Sequence, residues 1–327
     1  MLDALHVNPL ASFEELGTVL EVSPVTAARR WRRLVSTGRA WVSSAPGLQL
    51  PMRAALLEAE CQPGAAPAVA SEFALVPQVF SVNITTGKDN LYALVVAADQ
   101  PLLAELIVDT LPAVAGLNRV QSALITNLFS GTRWRLGGLS PDQVRAVIPE
   151  SAKTNPAHQF DDFDRELFLA LQRDGRLSFR DLAAVVGRPE PTVRRRLRLL
   201  THSGMLAFRT DFARVEAGWP TAVALKLSVT GSAVTAVGRT LVRYPETRFC
   251  VAVIGGGAAD LFVTMQLHNV SNLDPVIHRL SAEHPGVAAL DTRVVLRSVK
   301  SWGRLLGPDG RARRVVPVDL WAPVNKS

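Results

Sequence analysis

The chain has 327 residues, 48% of them hydrophobic and 20% charged, and its formal net charge is +7. This balance excludes intrinsic disorder and supplies apolar residues for roughly two to four domain cores. The two cysteines stand far apart and the longest apolar run is much shorter than a membrane helix, so we expect no disulfide framework, zinc site or membrane span. The N-terminus has no signal-peptide pattern, and we expect a cytoplasmic protein.

Residues 1–50 predict a first helix-turn-helix module. Its first helix has room only between Leu2 and Leu10, so either this helix is short or the natural start lies upstream of Met1. The third helix has an apolar stripe at helical spacing, made of Ala27, Trp31 and Leu34. Its outward polar side chains are Thr26, Arg29, Arg30, Arg32 and Arg33.

Residues 51–139 change to strands and helices in the order βαββαβ, which is typical of a ferredoxin-like domain. The predicted elements are strand Arg53 to Cys61, helix Ala66 to Leu75, strand Val79 to Thr85, strand Asn90 to Ala97, helix Pro101 to Thr110 and strand Arg119 to Phe129. The helices cover only one face of such a sheet, so the other face must be buried against another element. We therefore expect two of these sheets to pair, within one chain or between chains.

Residues 140–160 are predicted as a linker, and residues 161–212 as a second helix-turn-helix module. Its first helix covers Phe163 to Arg173, and its second begins after the N-cap residue Ser178. The third helix begins at Pro189 or Glu190 and ends at Gly204. The apolar stripe of this third helix consists of Val193, Leu197 and Leu200. Its outward polar side chains are Thr192, Arg194, Arg195, Arg196 and Arg198.

Residues 213–307 repeat the βαββαβ order, and residues 308–327 are predicted as a C-terminal tail. The predicted elements are strand Ala222 to Val229, helix Ala233 to Arg243, strand Thr247 to Ile254, strand Asp260 to Leu267, helix Val270 to Ala282 and strand Val287 to Val299. The two halves also share residues, since Ser12, Thr26 and Arg29 recur in order and without a gap as Ser178, Thr192 and Arg195. We interpret the chain as two diverged copies of one unit.

Charge separates the two kinds of module. Acidic residues outnumber basic residues over 52–130, whereas arginines outnumber acidic residues over 163–206. An arginine-bearing third helix behind a tight turn is typical of a helix that enters the major groove, with flanking arginines on phosphates. The alternative is that such a face is simply solvated, but its occurrence in both copies favours DNA binding.

The arrangement resembles the leucine-responsive regulatory protein/AsnC family, the feast/famine regulators. The resemblance is carried by Asp174-Gly175-Arg176, Leu182-Ala183, the run Val193 to Leu200, Gly204 and the turn Gly257-Ala258-Ala259-Asp260. It spans most of the chain as a tandem duplication. It implies an α+β fold in which two winged-helix/helix-turn-helix modules alternate with two ferredoxin-like, AsnC-type effector domains.

The resemblance also implies a sequence-specific transcription regulator that binds double-stranded DNA, responds to an amino acid or a related metabolite, and assembles into homo-dimers or larger oligomers. The candidate effector-site residues are Gly87, Asn90, Gly256, Gly257 and Asp260. Glycines let backbone amides approach a ligand carboxylate, and Asp260 would hold an ammonium group. The alternative is that Gly257 only gives the hairpin a positive φ and Asp260 only closes the turn. Asn90 replaces the acid in the first copy and predicts weaker binding there.

We predict no catalytic residues, no metal site and no cofactor. The six histidines have no metal-ligand spacing, and Gly255-Gly256-Gly257 precedes a strand instead of the helix that a dinucleotide loop requires. Two other functions stay open. A siroheme-decarboxylase-like enzyme resembles this family but needs His and Arg around a tetrapyrrole, and residues 52–130 contain no histidine. The other is a DNA-organising protein that binds without an effector.

Overall fold

The chain divides into two compact units, each built from two separate stretches of sequence. The computed structural model describes residues 1–130, 134, 136–148, 158–231 and 233–324. The first unit comprises Met1–Pro51 and Thr132–Ala213, and the second comprises Met52–Gly131 and Arg214–Ser327. The first is mainly helical and the second combines strands and helices, so the predicted α+β class is confirmed.

The first helical module lies in the first unit. It contains helices α1 (Leu2–Val7), α2 (Phe13–Val19) and α3 (Pro24–Ser36), followed by strand β1 (Ala40–Pro46). Helix α1 is shorter than the predicted span to Leu10, because Asn8 is extended and the residue before a proline disfavours helical geometry. Helix α2 begins with a reciprocal cap, in which Ser12 accepts from the amide of Glu15 and the Glu15 carboxylate accepts from the amide of Ser12.

The first α/β module lies in the second unit. It contains β2 (Arg53–Cys61), α4 (Ala66–Leu75), β3 (Val79–Thr85), β4 (Leu91–Ala97), α5 (Gln100–Glu105) and β5 (Leu117–Ser130). A short π-helical turn over Leu106–Thr110 continues α5. Alternate strand residues such as Leu57 and Val95 pack with Phe73 of α4 into one apolar core. This period-two burial fixes which face of the sheet the helices cover.

The segment predicted as a linker over residues 140–160 contains helix α6 (Pro141–Val147), which belongs to the first unit. Its Gln143 side chain donates to the carbonyl of Val19, with Nε2 and O 2.9 Å apart. Just before it, the buried carboxylate of Asp3 accepts from the amides of Gly138 and Leu139. Part of the predicted linker is therefore packed structure, while residues 149–157 lie outside the described residues.

The second helical module contains α7 (Asp162–Arg173), α8 (Phe179–Val186), α9 (Glu190–His202) and strand β6 (Leu206–Phe212). Ser178 caps α8 by accepting from the amide of Asp181, as predicted. Gly204 follows α9 with a positive φ of 71°, which explains why glycine ends this helix. Strand β6 pairs antiparallel with β1 along the full length of both strands, from Ala40 opposite Phe212 to Pro46 opposite Leu206.

The second α/β module contains β7 (Thr221–Val229), α10 (Val234–Arg243), β8 (Thr247–Ile254), β9 (Leu261–Leu267), α11 (Leu273–Glu283) and β10 (Val287–Ser301). A single 3-10 turn over Val270–Asn272 precedes α11. Its core repeats the pattern of the first α/β module, with Leu225 and Val263 of the strands packed against Leu241 of α10. Both modules have the order βαββαβ.

The strands of the two α/β modules form one closed sheet inside the second unit. Strand β5 of the first module pairs with β8 of the second, and β10 of the second pairs with β3 of the first as well as with β7. Eight strands therefore close in the cyclic order β10-β3-β4-β2-β5-β8-β9-β7. The sequence left open whether such sheets pair within or between chains; here they pair within one chain and leave none of these eight strands at an edge.

The region predicted as a C-terminal tail over residues 308–327 is largely packed onto the second unit. Strand β11 (Arg304–Leu306) pairs with β10, and β12 (Ala312–Val315) pairs with β11. Further along, the side chains of Val318 and Leu320 are buried, and the Leu320 carbonyl accepts from the amide of Ala98 at 2.9 Å. The described part of this region, up to residue 324, therefore contributes to the core of the unit.

Candidate nucleic-acid interface

Helix α3 buries one face and exposes an arginine-rich face. Ala27 and Trp31 are buried toward the other helices of its module, in agreement with the predicted stripe. The exposed arginines are Arg29, Arg30, Arg32 and Arg33, and among the described residues none of them forms an ion pair. Thr26 lies partly buried in the first turn, where its hydroxyl accepts from that of the N-cap residue Ser23. This face is a continuous cationic surface.

Helix α9 has the same design, with Val193, Leu197 and Leu200 buried. Arg195 and Arg198 are exposed, and no ion pair holds either of them within the part of the chain that the structure describes. Both occupy the positions that Arg29 and Arg32 occupy in α3. Thr192 is partly buried near the start of the helix, as Thr26 is in α3.

Arg194 is exposed but engaged with two neighbours. Its Nη2 lies 2.6 Å from a carboxylate oxygen of Glu190, one helical turn earlier. The guanidinium also lies over the ring of Phe179, 4.5 Å from the ring centroid. An exposed pair of this kind contributes little to stability, so Arg194 remains available to an external partner.

Arg196 is held by the first helix of its own module. Its Nη1 donates to Asp161 at 2.9 Å, approaches both oxygens of the fully buried Asp164 at 3.3 Å, and lies 3.0 Å from Nε2 of His158. Burial raises the pKa of Asp161, but the hydrogen bond from the Asp164 amide and the nearby Arg196 guanidinium outweigh this effect and lower the pKa below its usual value. The sequence placed Arg196 among the phosphate-binding residues, whereas its contacts secure α9 to α7.

Arg176 contacts the first helical module from the second, and sequence reasoning singled it out only as part of a motif. Its Nη1 and Nη2 each donate, at 2.7 Å, to the carbonyls of Pro9 and Ala11. The guanidinium also lies 5.0 Å from the centroid of the Phe13 ring. Burial lowers the pKa of this guanidinium. The residue thus ties the two helical modules together within the first unit.

The predicted effector-site residues lie in the two β-turns of the second unit. Asp260 is partly buried, and its Oδ2 accepts from the amide of Val229 at 2.7 Å. Asn90 has the equivalent contact in the first α/β module, where its Oδ1 accepts from the amide of Cys61 at 2.9 Å. Both side chains therefore anchor the turn to the end of a neighbouring strand, which is the turn-closing role considered as the alternative.

The glycines of these turns are needed for backbone conformation and for close packing. Gly87 and Gly257 have positive φ values of 91° and 77°. A Cβ on Gly256 would come within 2.9 Å of the Cβ of Ala123 in β5. The turn of the second α/β module therefore lies against the last strand of the first, and Gly256 permits that approach.

A buried charge cluster joins the two α/β modules, and the sequence did not reveal it. Glu58 of β2 is 2% exposed and accepts from a guanidinium nitrogen of Arg293 in β10. It also accepts from Nζ of Lys226 in β7 at 2.8 Å and from Nε2 of Gln121 in β5 at 3.2 Å. Nε of Arg293 lies 2.9 Å from a carboxylate oxygen of Asp291. The only sequence signal was an acid, Glu58, within the run of apolar residues from Ala54 to Ala59.

A surface cavity of about 250 Å³ lies beside β5 in the first α/β module. Its lining residues are Ile107, Pro112, Leu117, Asn118, Arg119, Val120, Gln121 and Ser122. Arg119 is its charged member and pairs with Asp89, with 2.5 Å between Nη2 and Oδ1. None of the five predicted effector-site residues lines this cavity.

Among the described residues, no group of three or more His, Cys, Asp or Glu side chains is arranged to hold a metal ion. No helix in the described part of the chain has the length and apolar character required to cross a membrane.

Two protein families match the second half of the chain. The AsnC-type helix-turn-helix domain matches residues 160–201, and the Lrp/AsnC ligand binding domain matches residues 222–305. The first segment includes nearly all of α9, and the second includes the turn that contains Asp260. The matched order of domains is that of the second helical module followed by the second α/β module.

Relatives of known sequence correspond to about half of this chain. An uncharacterized HTH-type transcriptional regulator of Pyrococcus abyssi is 30% identical over 148 residues, which are 44% of this chain and 90% of the relative. Another, from Pyrococcus horikoshii, is 29% identical over 160 residues, which are 48% of this chain and 96% of the relative.

A solved structure, that of the siroheme decarboxylase NirDL, resembles nearly the whole chain. The TM-score is 0.58 and the sequence identity is 14%, with 92% of this chain and 91% of that chain covered. At this level of sequence identity, the comparison shows that the two chains have a similar fold.

Proposed function

The chain belongs to the Lrp/AsnC family of helix-turn-helix transcriptional regulators, and from that premise we propose that it binds double-stranded DNA through α3 and α9. The observation that carries the proposal is the pair of exposed arginine faces on these helices. Arginines on a third helix neutralise phosphates and read base edges when the helix enters the major groove. The DNA-contacting set we propose is Thr26, Arg29, Arg30, Arg32, Arg33, Thr192, Arg194, Arg195 and Arg198.

We leave Arg196 out of this set because its guanidinium is committed to Asp161 and Asp164. Moving it onto a phosphate would leave the buried Asp164 carboxylate without its cation, and an unpaired buried charge is costly. Its equivalent in the first module, Arg30, is exposed and stays in the set.

We further propose that the chain is a tandem duplication and acts as the equivalent of a regulator dimer. Supporting this are the two helical modules, the two βαββαβ modules and the antiparallel pairing of β1 with β6. The reciprocal pairing of β5 with β8 and of β10 with β3 has the symmetry expected when two copies of one domain associate. Any homo-oligomer would then assemble from whole chains, in the cytoplasm, where DNA and effector are available.

The effector we propose is a small zwitterion, an amino acid or a related metabolite, bound beside the turn of the second α/β module. Oδ2 of Asp260 is engaged by the Val229 amide, which leaves its other oxygen to meet an ammonium group. Asn90 lacks the charge and supports weaker binding at the first turn. Calorimetry with amino acids on wild type and on Asp260→Ala tests this site, with Arg119→Ala as the control for the cavity beside β5. Loss of binding only in Arg119→Ala would place the effector in that cavity instead.

We propose that the chain is not an enzyme, although a siroheme decarboxylase has a similar fold. The first α/β module has no histidine. In the second, Nδ1 of His268 donates to the carbonyl of Gly218, His284 contacts Thr240, and His278 is exposed, so these three side chains lie outside its buried core. A tetrapyrrole bound by purified chain, detected as a shifted visible absorption band, would overturn this part of the proposal.

The DNA-binding proposal is tested by measuring affinity for duplex DNA as a function of salt. Each arginine that neutralises a phosphate contributes roughly 0.9 to the slope of log affinity against log salt. We expect Arg29→Ala combined with Arg195→Ala to lower this slope by roughly two. Arg176→Ala is not a suitable control because it would loosen the contact between the two helical modules. Arg53→Ala is suitable because Arg53 lies in the other unit, and this variant should leave the slope unchanged. An unchanged slope in the double variant would contradict the assignment.

A further inference from the structure

The two third helices differ in their first turn. Aligned on their shared threonines, α3 begins Pro24-Val25 and α9 begins Glu190-Pro191. Val25 is 74% exposed, although it is a large apolar residue, whereas Glu190 presents a carboxylate paired with Arg194. Further along, the exposed Arg29 and Arg32 of α3 align with the exposed Arg195 and Arg198 of α9, whereas the residues of the first turn differ in their chemistry.

The first turn is also where a third helix of this kind meets the base edges. In helix-turn-helix proteins the N-terminal residues of the recognition helix contact the bases, and residues further along contact the backbone. An exposed apolar side chain there fits the methyl group of thymine. A carboxylate accepts from the amino group of cytosine, and an arginine beside it donates to the guanine of the same base pair.

We propose that the chain reads an asymmetric operator, with a thymine beneath Val25 in one half-site and a cytosine–guanine pair beneath Glu190 and Arg194 in the other. The inference rests on the proposed DNA-binding function. The exposed pair between Glu190 and Arg194 opens at little cost, so both groups can turn to the bases. Because β1 and β6 pair along their full length, both helices belong to one unit and one chain supplies both halves of the reading surface.

A second difference makes the two half-sites unequal in phosphate binding. Arg33 of α3 is exposed, and the aligned position in α9 is Leu199. Helix α3 therefore offers one more cation near its C-terminal end. We expect the half-site under α3 to depend more strongly on salt than the half-site under α9.

The test begins with selection of binding sites from a random duplex pool by the full chain. The expected result is a non-palindromic consensus with a conserved thymine in one half and a conserved C·G pair in the other. Replacing that thymine by deoxyuridine removes only the methyl group and should weaken wild-type binding about fourfold, the value of one buried methyl-sized group. Replacing the C·G pair by T·A should weaken binding roughly 5- to 150-fold.

Variants assign these effects to the residues. Val25→Ala should lose the sensitivity to deoxyuridine. Glu190→Ala should reduce the sensitivity to the C·G replacement, and Glu190→Ala combined with Arg194→Ala should abolish it. The triple variant Pro24→Glu, Val25→Pro and Ala28→Arg gives α3 both the first turn of α9 and the counterpart of Arg194, and it should shift the consensus toward a palindrome. Val35→Ala, an exposed apolar change in the last turn of α3, is the matched control and should leave the consensus unchanged.

The possible outcomes distinguish a failure of the asymmetric operator from a failure of the proposed DNA-binding function. A palindromic wild-type consensus, or a wild type insensitive to deoxyuridine, overturns the asymmetric operator while leaving DNA binding intact. Absence of any enriched sequence overturns the proposed sequence-specific function itself. The deoxyuridine measurement needs no protein variant, so it decides the question even if a variant fails to fold.

Discussion

Removing the carboxylate of Glu58 should destabilise the second unit far more than removing that of Glu60, the more exposed acid of the same strand. In Glu58→Ala the guanidinium of Arg293 and the ammonium of Lys226 lose the anion that they share. Breaking a buried ion pair from one side costs about 3–5 kcal/mol because a buried charge is left without its partner.

The structure places the expected cost at the lower end of that range. Arg293 keeps the Asp291 carboxylate at 2.9 Å, and the Lys226 side chain is 13% exposed, so both cations retain some compensation. We therefore expect a loss of about 3 kcal/mol, which lowers the melting temperature of a unit of this size by roughly 6–12 °C. Glu58→Gln keeps the shape and the hydrogen bond to Gln121 and should give an intermediate loss.

Scanning calorimetry is the suitable assay because it resolves the two units as separate transitions if they unfold separately. The matched control is Glu60→Ala, two residues along β2, where the side chain is 26% exposed and its nearest cationic nitrogens, on Lys88 and Arg119, are 3.7 Å away. This control should cost less than about 1 kcal/mol. Equal shifts for Glu58→Ala and Glu60→Ala would refute the role assigned to the cluster.

Three other predictions follow from single contacts. Leu320→Ala should cost about 2–5 kcal/mol because the side chain is fully buried, whereas Leu296→Ala, 65% exposed, should change the melting temperature little. Burial lowers the pKa of Lys300 from 10.5 to about 7, so between these values the unfolded chain holds a proton that the folded chain lacks. Stability should therefore rise with pH across this window, by at most about 1.4 kcal/mol per unit, and urea titrations of Lys300→Met should show no such rise. Arg196→Ala should lower the melting temperature and leave the salt slope of DNA binding unchanged. Arg198→Ala should leave the melting temperature unchanged and lower the salt slope by roughly one.

Many elements could be predicted from the sequence because their signals are local. Strands and helices such as Arg53–Cys61, Ala66–Leu75 and Thr247–Ile254 have the predicted bounds, since alternation, helical spacing and turn residues all lie within the element itself. The family was also predicted correctly from motifs that recur in order. Helix α6 was missed although Ser140 and Gln143 form a capping box around Pro141, because a helix of seven residues is too short to show a repeated apolar stripe.

The remaining features depend on contacts between distant parts of the chain. The partners of Glu58 come from three other strands, and no local pattern states which strands become neighbours. Arg196 has the same sequence pattern as Arg195 beside it, yet only Arg196 meets the acids of α7. The periodicity of α9 identified its polar face but not which arginine on that face is already paired.

Sequence-specific DNA binding by α3 and α9 is tested most directly by footprinting the full chain on fragmented chromosomal DNA from the organism that encodes it. We expect discrete protected sites beside promoters at physiological salt, and these sites should disappear when Arg29, Arg32, Arg195 and Arg198 are all replaced by alanine in a chain that still folds. Protection that is absent in the wild type, or that survives these four replacements, would contradict this expectation.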